Sequence, residues 1–511
     1  MTASTPLTAQ TVWYVDDDAP RDPGPGDPTV SDPDEDGSKG HPFDAIQEAF
    51  DVASNGDTVL VRDGTYSGEG NHDVYFESLH LTVRSENGPE TCTIDLERLG
   101  RAFFMDQETS TGSIIDGFTI TNGFVENSNG GAIDCTLFAS PIIRNCRFIG
   151  NEAQGLGGGV ACRGGSSGLI ENCLFEDNTC FGAVEGSQGG GLSCFFNANP
   201  AVINCTFLNN SSQHGGAIDC SLSNATFINC VIAYNHATRD GGGIFISVAD
   251  PTFINCTVAR NTAQTVGGGV VLAGAVLPAY GTFLNCILWE DSPNEIEVLI
   301  GKASVRYSNV QGGWSGMGNI DSNPRFVNPG GDDFSIAANS PCIDAGINNS
   351  LSTDPYDYDR DHNRTEAFPL DAADRQRFID DPAVPDTGSG SAPLTDIGAY
   401  EYQLGLLLDN PDPGLPGQSN RVTAQGAPSN SRVYFVYGVE RGGTSIPGCG
   451  GDLSLLIEDA RLIDSAQADS NGTAFIDVFV PGRAAGRTVY FQAVVKSACH
   501  MTNNIQYTFP E

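Results

Sequence analysis

The sequence has no long hydrophobic run and few basic residues. No stretch of 18 consecutive apolar residues occurs, so the pattern predicts no membrane-spanning helix. Lys and Arg number 25 against 64 Asp and Glu, which gives a formal net charge of −39. A surface with that charge repels nucleic acids, anionic membranes and polyanionic sugars, and it attracts cations. We therefore expect no nucleic-acid partner and no insertion into a membrane.

The chain also lacks the Cys-x2-Cys spacing of zinc sites, although it contains 15 cysteines. Many of these belong to an internal repeat. An Asn-Cys pair recurs every 25 to 32 residues, at Asn145, Asn172, Asn204, Asn229, Asn255 and Asn285. A glycine-rich triplet before a branched apolar residue marks the same period, at 130–133, 157–160, 189–192, 215–218, 241–244 and 267–270. Repeats of this length predict a stacked solenoid.

The residues around each Asn-Cys pair indicate short strands. Two residues before the Asn stands a large apolar residue, as at Ile143 and Val202, and another stands two residues after the Cys, as at Phe148 and Phe207. Runs of four to six residues rich in Ile, Val and Phe, separated by Gly or Asn, favour strands over helices. Parallel strands stacked about 4.8 Å apart would satisfy the backbone between rungs. Asn suits the corners because it tolerates left-handed backbone and can bond its neighbour in the next rung.

These columns closely resemble those of secreted bacterial proteins with right-handed parallel β-helix repeats and a pectate-lyase-like fold. The resemblance covers roughly residues 40–402 and includes the entry segment, where Pro42 to Ser54 has the spacing of an amphipathic helix. It implies an all-β, right-handed parallel β-helix capped by that helix, in a protein that is secreted or at the cell surface. The opening residues up to Gln10 resemble the tail of a signal peptide.

Composition divides the chain into three parts. We predict an N-terminal segment with an acidic loop over 1–41, the β-helix with its caps over 42–402, and a β-sandwich accessory domain over 403–511. Strand-like alternation between Pro and Gly turns, at Arg432–Tyr437, Ala474–Val480 and Thr488–Lys496, supports the sandwich. Cys449 and Cys499 are the only cysteines of that domain, which predicts one disulfide.

The cysteines of the repeat form two columns whose role has two explanations. Cys135, Cys162, Cys194 and Cys220 form the first column, and the Asn-Cys thiols form the second. In later rungs the first column continues as Ile246 and Leu272, which favours packing of the thiols as small apolar groups. Disulfides within a rung remain the alternative.

Calcium is the cofactor that the acidic stretches suggest. Asp357, Asp359, Asp361 and Asn363 place oxygen side chains at alternate positions, as in the start of an EF-hand loop. His362 stands where that loop has Gly, and Phe368 stands where it has Glu, so a polar loop without metal is the alternative. A second run, Asp16–Asp18, is better explained as a solvated loop.

A second feature of the repeat predicts an interface. Immediately before the Asn of the last four pairs stand Ile203, Ile228, Ile254 and Leu284. If the preceding column points inward, these side chains point outward and form an apolar stripe that monomeric proteins seldom leave exposed. We expect the 320–402 segment, the C-terminal domain or another copy of the chain to cover it. The alternative is that a bend at the corner turns the column partly inward.

The sequence alone favours a non-catalytic function. Family resemblance implies that catalysis would use acids and an Arg or Lys on one outer strand column. Asp134 and Asp219 share such a column but lie three rungs, roughly 14 Å, apart, which is too far for a carboxylate pair. Arg144, Arg147 and Arg163 are better explained as a solvated or Glu171-paired surface. We expect a structural, adhesive or carbohydrate-contacting protein whose partners are carbohydrate, a cell-surface component or its own copies. The alternative is a polysaccharide lyase or glycoside hydrolase.

Overall fold

The structure is a computed structural model that describes most of the chain. The described residues are 10–18, 34–76, 79–106, 112–182, 188–348, 364, 368–375, 377–379, 381, 384–402, 406–427, 431–446, 454–469, 473–496, 500–502 and 504–510. The chain divides into two compact units, Met1–Pro324 and Arg325–Glu511. The domain boundaries at 41/42 and 402/403 stay a prediction from the sequence. Among the described residues, no helix is long and apolar enough to cross a membrane.

The first unit is a right-handed coil of short parallel strands. Along each rung the chain contributes in turn to four parallel ladders, which we number as sheets 1 to 4. Sheet 1 precedes the Asn-Cys corner and contains Val12–Val15, Thr58–Val61, Thr82–Ser85, Ile114–Asp116, Ile142–Arg144, Leu169–Glu171, Ala201–Ile203, Thr226–Ile228, Thr252–Ile254 and Ala279–Leu284. Sheet 2 follows that corner and contains Gly64–Tyr66, Cys92–Asp95, Thr119–Thr121, Arg147–Ile149, Leu174–Glu176, Thr206–Leu208, Val231–Ala233, Thr257–Ala259, Ile287–Trp289 and Asn309–Val310.

Sheets 3 and 4 complete each rung. Sheet 3 is short and contains Phe124–Val125, Glu152–Ala153, Thr179–Cys180, Ser211–His214, His236–Asp240 and Thr262–Ala263. Sheet 4 follows the glycine triplet and contains Val74–Tyr75, Phe103–Met105, Ile133–Cys135, Val160–Arg163, Leu192–Phe195, Ile218–Ser221, Ile244–Ser247 and Val270–Ala273. The long strand Ile296–Arg306 pairs with both sheet 4 and sheet 1. The predicted fold class, all-β with a parallel β-helix, is confirmed.

The interior of the coil is filled by the columns that the sequence placed there. Phe175 and Phe207 stack with ring centroids 4.5 Å apart, and Phe227 and Phe253 stack at 4.6 Å. The described cysteines are free and buried, and the Asn-Cys thiols donate to backbone carbonyls, as Cys173 does to Glu171 at 3.2 Å. Packing is therefore the role of these thiols in the structure, and the alternative of disulfides within a rung is wrong here.

The two Asn columns have different roles. Asn145 and its equivalents adopt left-handed backbone at the corner between sheets 1 and 2, with φ near 50°. The column that begins at Asn151 is buried and forms a ladder in which each side chain accepts two N–H donors from the rung before it. Asn178 Oδ1, for example, accepts from the backbone N and the Nδ2 of Asn151, both at 3.0 Å. The ladder ends on Asp291.

The N-terminal helix is shorter than predicted. It spans Ile46–Val52, and Ile46, Ala49 and Phe50 pack into the interior core. Upstream of the helix the chain is extended, because Phe43 forms a parallel β-bridge with Val15, the last residue of the first strand. The first helical turn is satisfied by two side chains. Glu48 accepts from the backbone N of Ala45, and Asn71 accepts from that of Ile46.

The second unit contains small antiparallel sheets. Its strands are Phe326–Asn328, Asp333–Ile336, Leu407–Leu408, Ser419–Gln425, Arg432–Gly438, Thr444–Ser445, Ser454–Leu455, Arg461–Gln467, Ala474–Phe479, Thr488–Val495, His500–Met501 and Ile505–Thr508, and 3₁₀ turns lie at Pro329–Gly331 and Gly482–Ala484. Val422 and Ile476 of one sheet share a core with Phe435 and Val495 of another, as the predicted sandwich requires. Cys449 and Cys499 lie outside the described residues, so their disulfide stays a prediction.

The predicted apolar stripe lies on sheet 1. Ile203, Ile228, Ile254 and Leu284 are 0, 4, 6 and 3% exposed in the single chain. They pair in register along the sheet, beside the inward column of Val202, Phe227, Phe253 and Phe283. The identity of the surface that covers them stays a prediction.

Candidate functional site

The corner after sheet 4 has an unusual backbone for its sequence. Its residues have positive φ, namely 49° at Leu137, 72° at Phe138, 53° at Phe196, 55° at Leu222 and 51° at Val248. The left-handed conformation costs roughly 1–2 kcal/mol for residues other than Gly, Asn and Asp. The corner between sheets 1 and 2 instead uses Asn in every Asn-Cys pair. Backbone preference therefore does not explain the apolar residues after sheet 4.

The side chains at this corner are exposed. Leu137 is 51% exposed, Phe138 65%, Phe196 55% and Leu222 42%. We call Leu137, Phe138, Phe196, Leu222 and Val248 the corner ridge. Its members lie on rungs that are stacked about 4.8 Å apart, so their apolar surfaces form a band along the coil. A band of exposed apolar side chains held at a conformational cost marks a binding surface.

A pocket of about 490 Å³ interrupts the ridge. It lies on the rung between Phe138 and Phe196, where the corner carries Gly164 and Gly165. A Cβ atom at Gly165 would stand 2.5 Å from the Phe138 ring, so the glycine lets that ring lie over the backbone. The pocket is lined by these four residues together with Asn129, Thr136, Leu137, Leu156, Arg163, Phe195 and Asn197. The Phe138 ring thus covers Gly165, and Gly164 leaves the adjoining backbone without a side chain.

Arg163 is the charged residue that lines the pocket, and a buried carboxylate holds it in place. Its Nε and Nη2 donate to the two oxygens of Asp134, both at 2.9 Å. Asp134 is 1% exposed and also accepts from Arg101 Nη1 at 2.9 Å, while Arg101 Nη2 donates to Ser128 at 2.7 Å. Such a bidentate pair fixes the guanidinium plane. Arg163 keeps N–H groups that Asp134 does not use, and its side chain is 31% exposed.

The other acid of the same column, Asp219, is remote from the pocket. The register runs from Asp134 through Ala161 and Ser193 to Asp219, so three rungs separate the two acids. Asp219 is fully buried and accepts from Ser193 at 2.9 Å and Ser221 at 2.6 Å. Burial raises its pKa to about 7. The structure thus brings Asp134 to Arg163 and leaves Asp219 in a hydrogen-bonded structural role.

The three arginines of the predicted basic spot each have an acidic partner. Arg144 Nε donates to Asp116 at 2.9 Å, and Arg147 Nη1 donates to Glu90 at 2.9 Å. With Arg163 bound to Asp134, each of the three is paired with a carboxylate, and the expectation that they do not form a catalytic group stays a prediction.

The predicted calcium ligands Asp357, Asp359, Asp361 and Asn363 lie outside the described residues. Within the described part of the chain, two acid groups bring carboxylate oxygens within 4.8 Å of one another. One is Asp16, Asp17 and Asp18, and the other is Glu35, Asp44 and Glu48. Burial raises the pKa of Glu48 to about 8.

The sequence analysis missed the corner ridge, although the sequence contains a signal for it. The ridge column lies two residues after the first cysteine column, where Leu137, Gly164, Phe196, Leu222 and Val248 follow Cys135, Cys162, Cys194, Cys220 and Ile246. The residues of this column differ in type, so an alignment of the repeats that looks for identical residues does not reveal it. Apolar residues directly before a corner, where Gly or Asn is expected, were the available signal.

Comparisons with known proteins concern the coil. The family model described as right handed beta helix region matches residues 116–276 and 157–310. No curated protein matches the chain. Similar solved structures include pectate lyase Pel9A, with a TM-score of 0.42 and 13% identity over 78% of this chain and 98% of that chain. A rhamnogalacturonan lyase has a TM-score of 0.34 and 12% identity over 62% and 90%. XylC in complex with xylose has a TM-score of 0.37 and 9% identity over 76% and 98%.

Because these identities are low, function has to be argued from the residues of this chain. The chain carries a right-handed parallel β-helix, matched by that family model over residues 116–310, and small antiparallel sheets at its C-terminus.

Proposed function

We propose that the protein is a non-catalytic, carbohydrate-contacting β-helix protein that acts outside the cytoplasm, secreted or at the cell surface. The corner ridge and its pocket are the proposed binding surface. The observation that carries this proposal is a pair of exposed aromatic side chains, Phe138 and Phe196, held in left-handed corners on either side of a glycine pocket.

The chemistry of the pocket suits a sugar ring. Ligand sites combine a mainly apolar lining with a few polar groups that fix orientation. Here Phe138 and Phe196 offer apolar faces for the C–H side of a sugar, and Arg163, Asn129 and Asn197 offer hydrogen-bond partners for hydroxyl groups. The Asp134 carboxylate already balances the charge of Arg163, and the chain has a net charge of −39. Both features favour a neutral sugar over a polyuronate.

The same residues argue against catalysis in the pocket. Hydrolysis of a glycoside needs two carboxyl groups beside the scissile bond, and a lyase needs a base that can accept a proton. Among the described residues, the pocket lining contains no Asp, Glu or His. The Arg163 guanidinium already donates two hydrogen bonds to the Asp134 carboxylate, which fix it in place. Binding without turnover therefore fits the pocket better than the alternative of a polysaccharide lyase or glycoside hydrolase.

Self-assembly is the second function that a specific observation favours. The corner ridge is an apolar band on the outside of a solenoid, and such bands also mediate contacts between copies of a protein. In that case replacing ridge residues would change the sedimentation coefficient and would leave carbohydrate binding unaffected.

The test is affinity gel electrophoresis of the full chain in gels that contain a neutral polysaccharide, with xylan, galactomannan and hydroxyethylcellulose as separate arms and polygalacturonate as the anionic arm. In the Phe138→Ala/Phe196→Ala variant the apparent affinity for the polysaccharide should fall by at least about tenfold. Each aromatic contact contributes about 0.5–1.5 kcal/mol beyond its buried area. Phe479→Ala is the matched control, since Phe479 is 64% exposed on another sheet. Equal retardation of the two variants would reject the proposal. The absence of any retardation of the wild type in every neutral gel would reject it as well. Release of reducing ends or unsaturated sugars would establish the enzyme instead.

A further inference from the structure

Three consecutive carboxylates meet where the first strand of the coil ends. Val12–Val15 pairs with Thr58–Val61, and Asp16, Asp17 and Asp18 follow it directly. Asp16 and Asp17 are only 6% and 5% exposed. One oxygen from each of the three side chains lies within 4.8 Å of the other two. Carboxylates this close repel one another strongly when they are partly removed from water.

The partners within the described residues do not balance this group. Arg62 Nη1 binds Asp16 Oδ2 at 2.5 Å, which supplies one positive charge for three carboxylates. Asp17 Oδ2 accepts from the backbone N of Thr65 at 2.8 Å. Asp17 Oδ1 is buried and has no hydrogen-bond donor within the described part of the chain. A buried charged oxygen without a partner is destabilising.

The backbone beside Asp17 is shaped to admit this carboxylate. A Cβ atom at Gly64 would stand 1.9 Å from Asp17 Oδ1, so any other residue there would displace the side chain. A bound cation would supply the counter-charge that the three neighbouring carboxylates lack among the described residues.

We propose that Asp16, Asp17 and Asp18 bind one calcium ion, which ties the first strand of the coil to the next rungs. Calcium suits the group better than magnesium because it accepts irregular sets of carboxylate oxygens, whereas magnesium requires near-octahedral geometry and keeps most of its water. This inference does not depend on the proposed carbohydrate binding. It is also separate from the calcium prediction at 357–363, which concerns a different part of the chain.

The experiment is isothermal titration of the full, chelator-treated chain with CaCl₂. It starts from an Asp357→Asn/Asp359→Asn/Asp361→Asn background, so that the predicted second site does not contribute. Calcium should bind this background with one site per chain, and adding Asp18→Asn should weaken the affinity by at least about tenfold. Asp18 is exposed, so its replacement leaves the fold intact. Asp34→Asn, which changes an exposed acid outside the group, is the matched control.

Two results would overturn the proposal. One is the absence of calcium heat in the Asp357/Asp359/Asp361 background, which would leave a shared proton as the counter-charge. The other is unchanged calcium affinity after Asp18→Asn, which would place the ion elsewhere. A titration with MgCl₂ that matches the calcium affinity would contradict the choice of ion.

Discussion

Single residues at the corner after sheet 4 contradict the usual preferences for left-handed backbone. Phe138, Phe196 and Leu222 keep positive φ and exposed apolar side chains, whereas Asn197 in the same corner shows that a favourable residue fits there. Strained residues at surface positions are retained when the side chain has a function. The corner ridge therefore keeps its apolar side chains exposed at a conformational cost, and this is why we propose it as the binding surface.

Replacing Phe196 with Asn should separate these two effects. We expect the free energy of unfolding to stay the same or to rise by up to about 1 kcal/mol, because Asn adopts left-handed backbone at lower cost. Retardation by the neutral polysaccharide should be lost. Urea unfolding and affinity electrophoresis of the same sample measure both quantities. A loss of more than about 1 kcal/mol would mean that Phe196 serves packing instead.

A buried acid pair gives the coil a dependence on pH. Asp291 ends the Asn ladder, and its backbone N donates to Glu295 at 3.2 Å. Desolvation is the largest cause that raises the pKa of both carboxyl groups, and their mutual interaction keeps Glu295 protonated. A carboxyl group whose pKa is higher in the folded state stabilises the fold fully below its unfolded pKa of about 4. This stability is lost as the pH rises through the folded pKa values, about 7 for Asp291 and about 10 for Glu295.

Glu295→Gln should therefore flatten the pH dependence of stability. The midpoint of urea unfolding should fall from pH 5 to pH 8 in the wild type and fall less in the variant, which should be the more stable protein at pH 8. Fluorescence of Trp289, which is 9% exposed in the coil, can report the transition. Glu126→Gln, at an exposed position, is the control. If the midpoint of urea unfolding fell equally in the wild type and the variant, the pair would not share a proton.

Among the elements, the coil was predictable and the helix only partly so. The inward columns follow from the repeat itself, because each rung places residues such as Phe148, Phe175 and Phe207 at one register position. The helix was predicted over Pro42 to Ser54 but spans Ile46–Val52. Its predicted first residues instead extend along the first strand, a long-range pairing that helical spacing alone cannot reveal.

The candidate site was less predictable than the coil for a physical reason. Its column contains Leu, Gly, Phe and Val on successive rungs. Whether one of these side chains is exposed depends on the direction in which it leaves the corner. The expectation that Asp134, Asp219 and the arginines form no catalytic group stays a prediction. The sequence did not show that Arg163 reaches Asp134 in the adjacent rung and lines a pocket, because that contact depends on side-chain direction.

The buried Asn ladder should contribute more to stability than an exposed ladder with the same kind of bond. Asn210→Ala removes the acceptor of two N–H groups of Asn178 and should cost about 2–6 kcal/mol, at about 1–3 kcal/mol for each buried group left unsatisfied. Asn224→Ala is the matched control, because exposed Asn224 accepts from Asp250 N, which water can replace. Comparable losses of unfolding free energy in the two variants would contradict this account.

For the whole molecule, charge and apolar surface have separate distributions. The net charge of −39 keeps the chain soluble and discourages polyanionic ligands. The corner ridge interrupts this acidic surface with apolar side chains, and its arginine is balanced by Asp134. A stiff coil that presents an apolar, uncharged band along its length suits an extended neutral polymer. This combination is the central claim of our account.

The most direct test of that claim is a crystal structure of the full chain soaked with an oligosaccharide of the neutral polysaccharide that retards it most. We predict a sugar ring over Gly164, between Phe138 and Phe196, with a hydroxyl group within hydrogen-bond distance of Arg163. Clear density for the sugar at another surface, with the pocket free of ligand at saturating concentration, would contradict the account.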